Sequence, residues 1–221
     1  MLTLLPGAEE LAPGLWRWEA FHEEWQHDVA CVALDAGETL VLVDPLAPPT
    51  LREARRFWKA LDAATRDRPV DVIVTLHYHR RSAVAVVGRY RTRAGALLWA
   101  PAGSVKRLDT VVDRPFAPGD PLPAGVEAFG SGRDDEVVLW LPAQRAIVAG
   151  DVLLGGVRKP LRVIPTSWLP RTASRAGVAQ ALAPMAKLPV ELIVPTHGPP
   201  VRNDARRTLA TALAEAAGTA G

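Results

Sequence analysis

Cys31 is the only cysteine among 221 residues. That excludes an internal disulfide and any zinc cluster built on several thiolates. It lies in the apolar run VACVALD, residues 29–35, and reads as a small core residue. Long apolar runs are also lacking, since none approaches the roughly 18 residues that a membrane helix needs. The opening MLTLLPGAEE has neither a basic start nor a sustained apolar segment, so no signal peptide is expected. A lone thiol is compatible with a reducing compartment, and the expected location is cytoplasmic. No block of Lys and Arg appears. The 26 basic and 24 acidic residues nearly cancel to a formal +2, although the pI is about 9.0. The electrostatic footprint of a nucleic-acid binder is therefore missing. Neither a G-x-S-x-G elbow nor a P-loop occurs, which removes support for a serine hydrolase or a nucleotide switch.

What is present is a globular balance, 48% apolar and 23% charged. The length suits one large domain or two small ones, and the core can be large enough to need no staples. Residues 1–45 alternate like β-hairpins through GLWRWEAF, VACVALDAG and TLVLVDP. A helix follows, with Thr50 and Glu53 as a capping box and Leu51, Phe57, Trp58 and Leu61 on one face. PVDVIVTL reads as a strand buried on both faces. Residues 82–93 read as a helix, ALLWAP as a strand, AGSVKRLD as a short helix and 110–125 as a long loop, not a domain linker. EVVLWLPAQRAIVAGDVLL gives a hairpin around PAQR, and 155–171 reads as loop. A helix over 172–187, the strand VELIVPT and a helix over 203–217 capped by Asn203 close the chain. The order is β-rich, βαβα, β-rich, αβα.

Four strand-to-loop transitions carry His or Asp. VTLHYHRRSA places His77 and His79 at i and i+2, which in an extended segment aim both imidazoles one way. TLVLVDP does this for Asp44, IVAGDVLL for Asp151 and ELIVPTHGPP for His197. In layered α/β folds such strand ends gather side chains into one cleft. His22 and His27, with Glu23, Glu24 and Asp28 in FHEEWQHD, could form a second metal patch, but a solvated hairpin is the simpler reading. The tryptophans, Trp16, Trp18, Trp25 and Trp168 among them, read mainly as core filling.

In order and spacing, LHYHRRS, IVAGDVLL and VPTHGPP resemble the motifs of the metallo-β-lactamase fold superfamily across nearly the whole chain. The resemblance implies an α/β (α+β) fold. This would be a four-layer αββα sandwich of two mixed β-sheets flanked by helices, as a single metallo-β-lactamase-like domain over 1–221. It also implies metal ligands at His77, His79, Asp151 and His197, with Asp44 in support. The pattern departs from the family at three places. Arg81 stands where the family has a metal-binding, proton-handling Asp. Ser82 stands where many members have a His, and Arg133 is the expected occupant of a further His position.

Arg has no lone pair to donate and stays charged, so two inward guanidinium groups oppose a two-metal centre. They could instead pair with Asp151 and Asp44 as a buried ion network. The expectation is a degenerate site with at most one Zn or Fe ion, and a metal-free cleft carries somewhat more weight. Asp151, Arg81 and Arg133 are the candidate catalytic residues. Ser82 and Arg158 are the candidate substrate-binding residues, with Lys159 and Arg162 near Arg158 favouring an anionic ligand. The function so implied is hydrolase-like, on a small anionic molecule. The alternative is an inactive pseudoenzyme that binds a ligand or protein partner through the Arg-filled cleft. No nucleic acid or membrane partner is expected, and a homodimer is the assembly kept open.

Overall fold

The computed structural model describes residues 7–66 and 68–218. The absence of a signal peptide was read largely from residues 1–6, which lie outside the described residues. The chain divides into two compact units, 1–116 and 117–221.

The first unit is built on a seven-stranded sheet whose strands lie in chain order. These are β1 (Glu9–Ala12), β2 (Leu15–His22), β3 (His27–Asp35), β4 (Leu40–Val43), β5 (Val70–Ile73), β6 (Ala96–Pro101) and β7 (Arg114–Phe116). Pairing is antiparallel up to β4 and parallel from β4 to β7. Parallel neighbours need crossovers, which α1 (Leu51–Thr65), α2 (Ala83–Ala94) and the 3₁₀ segment Ala102–Arg107 provide in turn. The Thr50 hydroxyl caps α1, accepting from the Glu53 amide and donating to the Glu53 carboxylate at 2.6 Å. Phe57 and Leu61 are buried against Trp18, Leu42, Val72, Tyr90 and Leu98. Leu51, expected on that face, is 79% exposed. At about 100° per residue it sits roughly 120° around the helix from Phe57. Strands β4 and β5 are buried along their whole length, including Asp71 of β5, whose carboxylate accepts from Trp99 Nε1 and the Thr39 hydroxyl.

The predicted loop over 110–125 is interrupted by β7. The cause is a tertiary contact invisible to local propensity. The Asp113 carboxylate accepts from the Leu98 amide at 2.8 Å and from Arg91, which seats the segment beside β6.

The second unit carries β8 (Glu127–Gly130), β9 (Val137–Leu141), β10 (Ala146–Ala149) and β13 (Leu192–Pro195), in the order β13-β10-β9-β8. The β9–β10 hairpin turns at PAQR as expected, and β10 pairs β13 in parallel. The predicted loop over 155–171 contains β12 (Leu161–Val163), paired with β11 (Leu153–Gly155). The predicted helix over 172–187 splits into α3 (Arg175–Leu182) and a 3₁₀ turn at Ala183–Lys187. Pro184 accounts for the break, having no amide to continue the α ladder. The last helix, α4 (Ala205–Ala217), starts after Asp204 and not at Asn203. Both units thus combine mixed sheets with helices, the α/β class implied by the sequence. Among the described residues, no helix is long and apolar enough to cross a membrane.

Candidate functional site

In the first unit the site residues follow directly from strand pairing. Because β4 and β5 are parallel neighbours, the residues leaving their C-terminal ends come side by side. Asp44, 2% exposed, takes a positive φ of 49° as the chain leaves β4. Its carboxylate accepts from the Thr75 amide at 2.8 Å, the Thr75 hydroxyl at 2.6 Å and His79 Nδ1 at 2.8 Å. A carboxylate only accepts, so Nδ1 carries a proton, and when the ring is neutral its lone pair is on Nε2. His79 is fully buried.

The expectation of an extended H-x-H segment is corrected. His77–Arg80 is a 3₁₀ turn, with His79 at φ −89°, ψ 16°. In a turn of three residues per cycle, i and i+2 do not point one way. His77 is half-buried, its ring 3.9 Å from that of Tyr78.

Arg81 also differs from expectation. It does not pair with the Asp44 carboxylate, whose oxygens Thr75 and His79 occupy. Its Nη1 donates to the Asp44 carbonyl at 2.9 Å and the Ala30 carbonyl at 3.0 Å, and lies 3.7 Å from Cys31 Sγ. Burial pushes the Cys31 thiol up to about 11, against the pull of the Arg81 charge. Ser82 ties down the strand-end loop. Its amide donates to the Pro45 carbonyl and its hydroxyl accepts from the Ala47 amide at 2.9 Å.

The β2–β3 hairpin tip is not merely solvated. Trp25 stacks on His22 at 4.0 Å and lies 6.3 Å from His27, 6.0 Å from His79 and 5.9 Å from the Arg81 guanidinium carbon. Burial there, and next the Arg81 charge, push the His22 imidazole below its usual value.

In the second unit, Asp151 and His197 leave the paired ends of β10 and β13. Asp151 Oδ1 stands 3.2 Å from His197 Nε2. The turn at Asp151 is held by a residue that the sequence reading missed. Glu136, 1% exposed, accepts through Oε1 from the amides of Asp151 at 2.7 Å and Val152 at 2.9 Å. Its position in the acidic run RDDE, just before an apolar strand, was the available signal. Arg133 pairs with its own neighbours in the chain. Its Nε and Nη2 bind the two Asp135 oxygens at 3.0 and 3.1 Å, and Nη1 lies 3.4 Å from Glu136 Oε2. Burial opposes the Arg133 charge, but Asp135 and Glu136, with Asp151 behind them, raise its pKa.

The His197–Gly198 turn packs against β11. The Gly155 amide donates to the His197 carbonyl at 2.8 Å, and a Cβ on Gly198 would stand 2.5 Å from the Gly155 carbonyl oxygen. Trp168, 53% exposed, presents its ring edge-on to His197 at 6.3 Å. Arg158, Lys159 and Arg162 are exposed, and Lys159 is paired with Glu215.

The donor chemistry suits a divalent ion. Two ligand atoms on a tetrahedral centre with bonds of about 2.1 Å stand roughly 3.4 Å apart. The Asp151–His197 separation of 3.2 Å matches that edge. The Asp44–His79 pair matches the outer support that fixes a metal-binding imidazole.

No family model matches the sequence, and no curated protein matches it. Solved structures do. A metallo-β-lactamase from Erythrobacter litoralis is 16% identical with TM-score 0.67, covering 94% of this chain and 96% of that one. One from Hirschia baltica is 13% identical with TM-score 0.65, covering 93% and 96%. The metallo-β-lactamase FIM-1 from Pseudomonas aeruginosa, in its mono-zinc form, is 16% identical with TM-score 0.65, covering 95% of each chain. Likeness of this extent at such low identity speaks for architecture, and the chain has the metallo-β-lactamase fold.

Proposed function

We propose that this protein is a divergent hydrolase-like enzyme that holds a single zinc or iron ion and acts on a small anionic molecule. Its ligands are drawn from His77, His79, Asp151 and His197. The observation that carries this reading is the buried Asp44–His79 pair at 2.8 Å. It fixes the imidazole with its lone pair on Nε2, which a merely structural histidine does not need. The close Asp151–His197 pair supports the same reading. An ion held there supplies Lewis-acid polarisation of a carbonyl or phosphoryl oxygen.

The chain's own groups do the rest. Asp44 orients His79, and Glu136 fixes the backbone that presents Asp151. The Arg81 guanidinium adds fixed positive charge where a second ion would be repelled. Arg133 acts as a positioning residue through Glu136, and Ser82 and Arg158 belong to the substrate side. The setting of this activity is cytoplasmic, with neither nucleic acid nor membrane as partner.

Elemental mass spectrometry on untagged protein tests the ion, and turnover of esters, thioesters, lactones and phosphodiesters with and without chelator tests the activity. About one equivalent per chain and chelator-sensitive turnover are expected. A chain that takes up no ion after incubation with zinc overturns the proposal. The second reading, a ligand-binding pseudoenzyme, is favoured by one observation. Arg81 cannot take up a proton, so the residue at the family's proton-handling position is no base. Metal uptake without turnover on any of these substrates selects it.

A further inference from the structure

Arg81 has one part of its guanidinium committed and another part buried without a hydrogen-bond partner among the described residues. Nη1 is pinned between the carbonyls of Ala30 and Asp44 at 3.0 and 2.9 Å. Nε and Nη2 are buried with no hydrogen-bond partner among the described residues. Those two N–H groups form the planar edge that matches the two oxygens of a carboxylate. The edge is rigidly presented, because pinning Nη1 removes the rotations that usually oppose ordering an arginine. The backbone is committed as well: Arg81 has φ 38°, ψ −118°, in the region that favours glycine. Strain of this kind persists where the surroundings over-determine it, and it collects at ligand sites. The indole of Trp25, stacked on His22, lies 5.9 Å from the guanidinium carbon.

We propose that the Nε–Nη2 edge of Arg81, beneath the Trp25 hairpin tip, is a carboxylate-binding subsite. It rests on the functional reading above and narrows its substrate class to carboxylates. A carboxylate entering there displaces the Trp25 indole and leaves the Nη1 contacts in place. The charge of Arg81 then serves to bind substrate as well as to exclude a second ion.

The test is a titration of the ¹⁵N-labelled full chain with acetate and malonate, run on zinc-free and zinc-loaded protein. Acetamide serves as the neutral isostere, and sodium chloride matches the ionic strength. The Arg81 Nε–Hε resonance, assigned by its loss in Arg81→Lys, should shift downfield and saturate. The Trp25 indole resonance should move with the same midpoint, and neither should respond to acetamide or chloride. Arg81→Lys keeps the charge but loses the two-pronged edge, and calorimetry should show carboxylate binding weakened at least about tenfold. If carboxylates leave Arg81 Nε–Hε unmoved, or chloride shifts it equally, the subsite is overturned whether or not the lysine variant folds. Carboxylate binding in a protein that takes up no zinc and turns nothing over keeps the subsite and removes the hydrolase reading. Zinc uptake with turnover and a silent Arg81 does the reverse.

Discussion

At the scale of single residues, Asp44 joins fold and site. It sits where β4 ends, and its carboxylate gathers three donors from Thr75 and His79. Replacing it by Asn turns one acceptor oxygen into an amide donor facing buried donors. Asp44→Asn should therefore cost about 1–3 kcal/mol of stability in denaturant unfolding. It should also weaken zinc binding about 10–100-fold in chelator competition, because His79 loses the partner that fixes its tautomer. A stability loss with unchanged zinc affinity would make Asp44 a structural plug only. Cys31 gives a second prediction. Its thiol is 1% exposed and burial raises its pKa to about 11. The thiolate needed for attack is then scarce near neutrality. A thiol reagent should label Cys31 only as the protein unfolds, and prompt native labelling would contradict the burial. Legibility at this scale was uneven. Asp44, Asp151 and His197 announced themselves by following apolar strands. Thr75 and Glu136 were harder to read, since each gains its role from a contact with a residue distant in sequence.

At the scale of elements, strands were easier to read than the segments between them. Apolar runs such as VLVD and LIVP form strands because burial on both faces leaves little choice. The segments misread as loops, 114–116 and 161–163, are three-residue strands whose pairing is set by tertiary partners. The H-x-H turn was misread for a related reason. Strand periodicity predicts an extended continuation, whereas His79 bends back to reach Asp44. The tip of the β2–β3 hairpin looked solvated because its acids are polar, yet Trp25 carries it onto Arg81 and His79. The His197 turn permits a sharp test. Gly198 has φ +89°, and a Cβ there would press on the Gly155 carbonyl oxygen. Both faults must be relieved by backbone movement, so Gly198→Ala should cost about 2 kcal/mol or more. Because the His197 carbonyl accepts from the Gly155 amide in the same contact, zinc affinity should fall with stability. A fully stable Gly198→Ala protein would show the turn to be looser than its packing implies.

At the scale of the whole molecule, the α/β class and the element order were legible because the motifs recur in one order along one chain. What the motifs could not reveal was how the arginines are used, since Arg81 is held through Nη1 alone by two backbone carbonyls and Arg133 by its own neighbours. Charge also sets the acid behaviour. The hydrogen bond from Arg89 holds the Asp62 carboxyl below its usual range, and those from Arg68 and Arg91 do the same for Asp35 and Asp113. Lowered carboxyl values mean that the stabilisation is fully present above about pH 4. It is lost as pH falls through the lowered values. Melting curves of Asp62→Asn and the parent should therefore differ most above pH 4 and converge at lower pH.

Zinc should act in the opposite sense, by binding only the folded chain. At about 100 times its Kd a ligand adds roughly 2.7 kcal/mol, which for a chain of 221 residues raises Tm by roughly 5–10 °C. Chelator should reverse the rise, and His79→Ala and His197→Ala should each abolish most of it. His22→Ala is the decisive control, because His22 and His27 offer the only other paired imidazoles in the sequence. If the rise survives in His79→Ala and disappears in His22→Ala, the ion sits at the hairpin tip and the strand-end histidines are structural.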